Sequence, residues 1–486
     1  MFLGIDIGTS SVKAVLVDEQ EAIVAQSSSP LTVERPQPLF AEQDPESWWQ
    51  ASVAAIGNLP PQARSAVRAI GLSGQMHGAT LLDKSGRTLR PAILWNDGRS
   101  ARECLELERR EPRSRALTGN IMMPGFTAPK LLWVSRHEPQ IFAHTARVLL
   151  PKDYVRLKLT GEAVSDMSDA AGTGWLDVAA RDWSDEMLTA TGLNRSHMPR
   201  LVEGNAPSGT VRTEVAEQLR LPPVVVAGGA GDNAASAVGM GVIAPGQAFL
   251  SLGTSGVLFV VTDRFRPNPD KAAHAFCHCL PGRWHQMSVM LSAASALDWA
   301  AQLTGEADLH RLVAAAQGIG LRRSAPYFLP YLSGERTPHN DPNSRGVLFG
   351  VNPETSRADL ALAVLEGVAL AFADGIDVLV ENGGTVGEIS VTGGGARFAY
   401  WGQLLAAALN RTLTYRAGSE LGSALGAARL ARLALTAESP QLVCTMPPIT
   451  QVIEPDSSLV ALLADRRGIF TRLYRDLKDT FVEFAK

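Results

Sequence analysis

The feature that most constrains this chain of 486 residues is a repeat at about half its length. Gly8, Thr9 and Ser10 recur as Gly253, Thr254 and Ser255, and the flanks follow at the same offset: Ile7 with Leu252, Val12 with Val257, Val15 with Val260, Asp18 with Asp263. An apolar run enters each turn, Phe2 to Ile7 and Phe249 to Leu252. A second leaves it, Val12 to Val17 and Val257 to Val261, so both copies read as strand, tight turn, strand. Self-similarity on this scale predicts two related α/β domains, residues 1–245 and 246–486. The join falls in the Gly241 to Gln247 stretch, which contains Ala244, Pro245 and Gly246.

Composition narrows the function. The charge is −4, from 45 Lys plus Arg against 49 Asp plus Glu, so no general field attracts a phosphate backbone and nucleic-acid binding is not expected. Four cysteines, Cys104, Cys277, Cys279 and Cys444, are too few for a disulfide framework and point to a reducing, cytoplasmic setting. His274, Cys277, His278, Cys279 and His285 are the nearest approach to a metal cluster, but no second ligand pair stands at zinc-finger spacing. The sequence opens Met1, Phe2, Leu3, Gly4 without a basic region before an apolar core, and no uncharged run reaches the ~18 residues of a membrane span. Neither export nor membrane anchoring is expected.

Four motifs carry chemistry. Asp6 ends a strand and precedes Gly8, Thr9 and Ser10, an arrangement that sets amides and hydroxyls around an anion and a carboxylate toward a hydrated cation, as Mg-nucleotide requires. A plain hairpin using Asp and Gly for turn geometry reads equally well for one copy. The second copy at Gly253, Thr254, Ser255 and Gly256 adds a grip from the other domain, with Ser251 standing where Asp6 stands in the first. Gly228, Gly229, Ala230, Gly231, Asp232 and Asn233 follow the apolar run Val224 to Val226. Asp232 is there a candidate base for a hydroxyl attacking phosphorus, with Asn233 on a neighbouring hydroxyl, or else a cap for a helix from Asn233 to Met240. Gly74 to Gly78 presents Met76 and His77 on a loop after Ala69 to Leu72, suited to contact with a polyol.

The fourth motif is Gly393, Gly394 and Gly395 with Ala396. Ile389 to Thr392 reads as a strand before it, and Trp401, Leu404, Leu405 and Ala408 as a helix after it. That helix could offer its first amides to a phosphate, or the bare backbone could lie against an adenosine. Phe398 stands where a dinucleotide fingerprint needs its last glycine, and no Walker-type loop is present. Ser356 and Asp359 at capping-box spacing, before Leu360, Val364, Val368, Phe372 and Ile376, predict a long helix. After about residue 440 the sequence becomes a polar amphipathic tail with no motif.

These residues resemble the FGGY carbohydrate kinases of the sugar kinase, actin and heat-shock ATPase superfamily, over roughly residues 2 to 435. Gly125 through Val134, and Gly346 through Phe349, Gly350, Asp359 and Leu360 to Glu366, look like that family's signatures. Gly74 to Gly78, Trp95 to Arg99 and Ser333 to Pro338 are similar to its xylulokinase branch. The resemblance implies two actin-like (ribonuclease H-like) α/β domains flanking a cleft, and ATP-dependent phosphorylation of D-xylulose at its 5-hydroxyl. It implies Asp232 as proton acceptor and Asp6 as the carboxylate beside Mg-ATP. Met76, His77, Asp232 and Asn233 would line the sugar site. Thr9, Ser10, Gly253, Thr254, Gly394, Gly395 and Ala396 would line the nucleotide site. ATP and Mg2+ are the expected cofactors, a sugar the expected partner, and a homodimer what the family suggests. Ala230 departs from a glycine common in that branch. Kinases for another ketose or polyol share every nucleotide motif, and an actin-like switching ATPase shares the phosphate turns.

Overall fold

The computed structural model describes residues 1–418 and 422–485. Both copies of the repeat are antiparallel hairpins. Strand Phe2–Ile7 pairs with Ser11–Val17, and Ala248–Leu252 with Gly256–Thr262. Each first strand then takes a parallel neighbour on its other side, Ala69–Gly74 in one case and Ile389–Thr392 in the other. Each hairpin thereby lies inside a mixed seven-stranded sheet among the described residues, as the repeat predicts for two related α/β units. A loop of residues 240–247 leads from helix Asp232–Gly239 into the second hairpin.

The period of two sorts the side chains of Phe2–Ile7, a strand buried on both faces. Leu3, Ile5 and Ile7 enter a core with Trp48, Leu72 and Val155. Phe2, Gly4 and Asp6 face the other way, toward helix Gly422–Thr436, and Phe2 packs there with Ala424 and Ala428. Contact is backbone to backbone: a Cβ on Gly4 would stand 1.9 Å from the Ala424 carbonyl oxygen, and one on Gly71 1.8 Å from that of Ala427. Gly426 meets the Ala235 carbonyl at the same range, so the helix is pressed on Asp232–Gly239 as well. A helix drawn from the second half of the sequence therefore completes the layer over the first sheet.

Ser356 and Asp359 cap helix Arg357–Val380 reciprocally, as their spacing predicts. Its Leu362, Leu365 and Phe372 join Leu250, Leu252 and Leu258 in the second core. The stretch after residue 440 is more than a tail. Strand Ile449–Ile453 extends the second sheet, and helix Ser457–Phe484 buries Leu463, Phe470 and Phe481 against the same core. Arg466 on that helix forms an ion pair with Glu366, 2% and 1% exposed, and donates to the carbonyls of Ala325 and Pro326. Among the described residues no helix is long and apolar enough to cross a membrane.

Candidate functional site

A cavity of about 440 Å³ opens between the two sheets, with Asn233, Ser236, Phe249, Ser251, Gly393, Gly394 and Ser423 on its walls. Strand alternation delivers Asp6 toward it. Its Oδ2 accepts from Ser423 Oγ at 2.7 Å and its Oδ1 from Ser73 Oγ at 2.9 Å. These hydroxyls fix the carboxylate and leave its charge uncompensated. Thr9 is bound into a small network: its hydroxyl donates to Gln75 Oε1 (3.1 Å) and accepts from Trp95 Nε1 (3.0 Å), and its carbonyl accepts from Gln43 Nε2 (2.8 Å). The first turn is thus tied to the residue that precedes Met76 and His77. Ser10 is exposed beside it.

The second turn is held by helix Ala294–Thr304. The Gly253 carbonyl accepts from Ala294 N–H at 2.7 Å, and the Thr254 carbonyl from Ala293 N–H at 2.9 Å and Ser295 Oγ at 2.7 Å. Gly393 lies against this turn with φ +93°, and a Cβ there would stand 2.9 Å from Gly253 N, so only glycine fits. Gly394, Gly395 and Ala396 then form a tight 3-10 turn, Gly394–Arg397, and the following helix begins only at Ala399. Of the two uses the sequence offered, bare backbone open to a ligand matches this geometry. A Cβ on Gly394 would meet nothing within 4 Å. The helix amides stand back from the glycines.

Asp232 is the first residue of helix Asp232–Gly239, one position past the cap, which is Gly231. Its Oδ1 accepts from the Asn233 backbone N–H (2.7 Å) and from Asn233 Nδ2 (3.0 Å). Burial, and after it the negative charge of Asp6, push its carboxyl up to about 7. The preceding segment is fixed on several sides. Gly229, at φ +76°, would put a Cβ 2.2 Å from the Leu72 carbonyl oxygen, and Gly231 N–H donates to Ser168 Oγ at 3.1 Å. Ala230 keeps a negative φ and is fully buried, so its methyl is accommodated without a left-handed backbone.

Beneath this segment lies a charge cluster that no motif announced. Lys152 Nζ stands 2.7, 2.8 and 2.9 Å from Asp153, Asp166 and Asp169, all fully buried. Arg156 donates from the same cluster to the carbonyls of Ala227 and Gly228, both at 2.5 Å.

Met76 packs on the glycine before Asp232: a Cβ on Gly231 would lie 2.9 Å from Met76 Cγ. His77 has φ +69° and donates from Nδ1 to the Gly172 carbonyl at 2.5 Å. Its own carbonyl accepts from Thr127 Oγ1 (3.1 Å) and Lys130 Nζ (2.9 Å), which gives the Gly125 to Val134 signature a concrete task. Burial and then the Lys130 charge push the imidazole down to about 3, so it is neutral, with Nε2 an acceptor. The ring lies 4.9 Å from Phe126 and 6.4 Å from Phe276. Phe276 stacks on His274, whose Nδ1 meets Asn120 Oδ1 at 2.9 Å and whose Nε2 meets Arg336 at 3.3 Å.

The second half of the chain thus packs against the His77 ring, through Phe276 and, behind it, His274. His285 is stacked on Phe259, 4.3 Å between centroids, and among the described residues no three His, Cys, Asp or Glu converge to hold an ion. Ser73 and Ser423 escaped the sequence reading of the site. A serine 417 residues from Asp6 carries no local mark of its partner.

Comparison with known proteins gives the family. Residues 1–239 match the N-terminal domain of the FGGY family of carbohydrate kinases, and residues 248–435 its C-terminal domain. The chain is 55% identical to the xylulose kinase of Escherichia coli (strain K12) over 480 residues, 98% of this chain and 99% of that protein. Against the xylulose kinase of Klebsiella pneumoniae it is 55% identical over 481 residues, with the same coverage. The crystal structure of a xyloylose kinase from Brucella ovis has 50% sequence identity and a TM-score of 0.96, covering 99% of each chain.

Proposed function

The chain belongs to the FGGY family of carbohydrate kinases, and from that premise we propose that it transfers the γ-phosphoryl group of ATP to the 5-hydroxyl of D-xylulose, giving D-xylulose 5-phosphate and ADP. The observation that carries the substrate is 55% identity, over almost the full length, to two xylulose kinases. Asp232 accepts the proton of the attacking hydroxyl. Its carboxyl titrates near 7, where a general base works efficiently, and Asn233 holds one of its oxygens so that the other is free. Met76 and His77 place the sugar, the neutral His77 offering an acceptor to a sugar hydroxyl. The sugar then lies on residues 1–245 and the nucleotide mainly on residues 246–486.

The nucleotide lies along Gly394, Gly395 and Ala396, with its phosphates between the turn at Thr9 and Ser10 and the turn at Gly253 and Thr254. Asp6 fits a Mg2+ carried on ATP, because hydroxyls orient its carboxylate and no cationic side chain among the described residues neutralises it. When bound, that ion supplies charge neutralisation of the phosphoryl oxygens. Asp6 would hold that ion close enough to Asp232 for the two carboxylates to feel one another. The four cysteines are unpaired and buried, which suits the cytoplasm.

The test is ADP release with Mg-ATP against D-xylulose, L-ribulose, D-ribulose, L-xylulose, glycerol and gluconate, with a no-sugar control. D-xylulose is expected to give the highest kcat/KM. Preference for another sugar would keep the mechanism and overturn the substrate, and release indifferent to every sugar would overturn both.

A further inference from the structure

Arg336, in the Ser333 to Pro338 stretch, is a cation that the proposed reaction does not use. Its neighbours anchor it to the second sheet. The Glu335 carboxylate accepts from the backbone N–H groups of Leu291 (3.0 Å) and Arg336 (2.7 Å). Thr337 Oγ1 donates to the Ala272 carbonyl (2.9 Å) and accepts from Val289 N–H (3.1 Å). Glu335 is therefore turned to backbone amides, and among the described residues no carboxylate lies within ion-pair distance of the guanidinium. The side chain is half-buried, and its hydrogen bond to His274 Nε2 engages one of five N–H donors.

Its position follows from the rings it is bonded to. His274 is stacked on Phe276, which borders His77, and His77 lies within the field of Arg336. Arg336 thus stands on the His77 side of the site, joined to it through the His274 and Phe276 rings.

We propose that Arg336 is a specificity residue that donates hydrogen bonds to the ketone oxygen of the open-chain sugar, at the end remote from the phosphorylated hydroxyl. The proposal rests on the ketose-kinase reading above. Guanidinium is donor-only, and a carbonyl oxygen is acceptor-only with two lone pairs, so the two match without leftover protons. The hydroxyl of an alditol at that carbon brings a proton of its own, which must find an acceptor when His274 Nε2 is already engaged by Arg336 and His77 Nε2 is given to a neighbouring sugar hydroxyl. Such a site favours a ketose over its reduced form, because a buried polar group left unpaired costs more than a made bond returns.

The experiment compares wild type, Arg336→Gln and Arg336→Lys at saturating Mg-ATP, with D-xylulose and with its two reduction products, xylitol and D-arabinitol, as substrates or competitive inhibitors. Arg336→Gln is expected to raise KM for D-xylulose roughly tenfold or more, the size of a lost charge-assisted hydrogen bond, while alditol constants change by less than about twofold. Arg336→Lys, which keeps a cationic donor, should recover part of the difference. Equal loss on ketose and alditols, or an unchanged KM for D-xylulose, would overturn the proposal while leaving the kinase reading intact. Wild type that phosphorylates no ketose would overturn both.

Discussion

At Asp232 burial and the Asp6 charge oppose ionisation, and the two hydrogen bonds from Asn233 favour it. The first pair wins, and two consequences of opposite sign follow. Activity needs the ionised base, so kcat/KM for the sugar should rise with pH up to about 7 and level off above, which a steady-state pH profile checks. An acid limb near 4 would contradict it. Asp232→Asn should lose roughly 10²–10⁴ in kcat, with ADP affinity by titration calorimetry unchanged. Stability runs the other way. The unfolded carboxyl titrates at about 3.9. Native stability therefore falls as pH rises from there to the native value near 7, and stays low above it. Asp232→Asn is thus expected to melt above wild type at pH 8, by a margin that shrinks toward pH 5. Equal midpoints at both pH values would show the native carboxyl to be solvated.

At the scale of elements, helix Gly422–Thr436 links packing to chemistry. Glycines on two strands let it lie on the first sheet, and the same strand alternation that turns Gly4 toward it turns Asp6 toward its Ser423. Gly4→Ala is expected to cost at least about 1–3 kcal/mol in urea unfolding, since the added methyl meets backbone with no room to move. It should also lower kcat, because the helix that carries Ser423 must shift. Gly57→Ala, where a Cβ would meet nothing within 4 Å, is the control and should leave both unchanged. Local elements were legible in sequence: the two hairpins, the strand at Ile389 and the capped helix at Arg357 each announce themselves in one short, continuous stretch of sequence. The surface that Gly422–Thr436 covers was not, because its Ala-rich face fits any close-packed sheet.

Across the whole molecule, helix Ser457–Phe484 is joined to the second core by the Arg466–Glu366 pair. Removing one partner leaves a buried charge uncompensated, so Arg466→Met is expected to destabilise by about 3–5 kcal/mol, and adding Glu366→Leu should recover much of it. Thermal unfolding of the single and double variants checks this, and a fully additive double variant would refute the pairing. Sequence alone determined the half-length repeat, the α/β class, the two Gly-Thr-Ser hairpin turns and the carboxylate after a glycine run, because each is written in residues close together along the chain. Tertiary structure decided which serines orient Asp6, why Asp232 titrates near 7, and which side chains of the second half reach His77. Those properties depend on burial and on charges brought together from hundreds of residues apart, and neither is encoded in any local pattern.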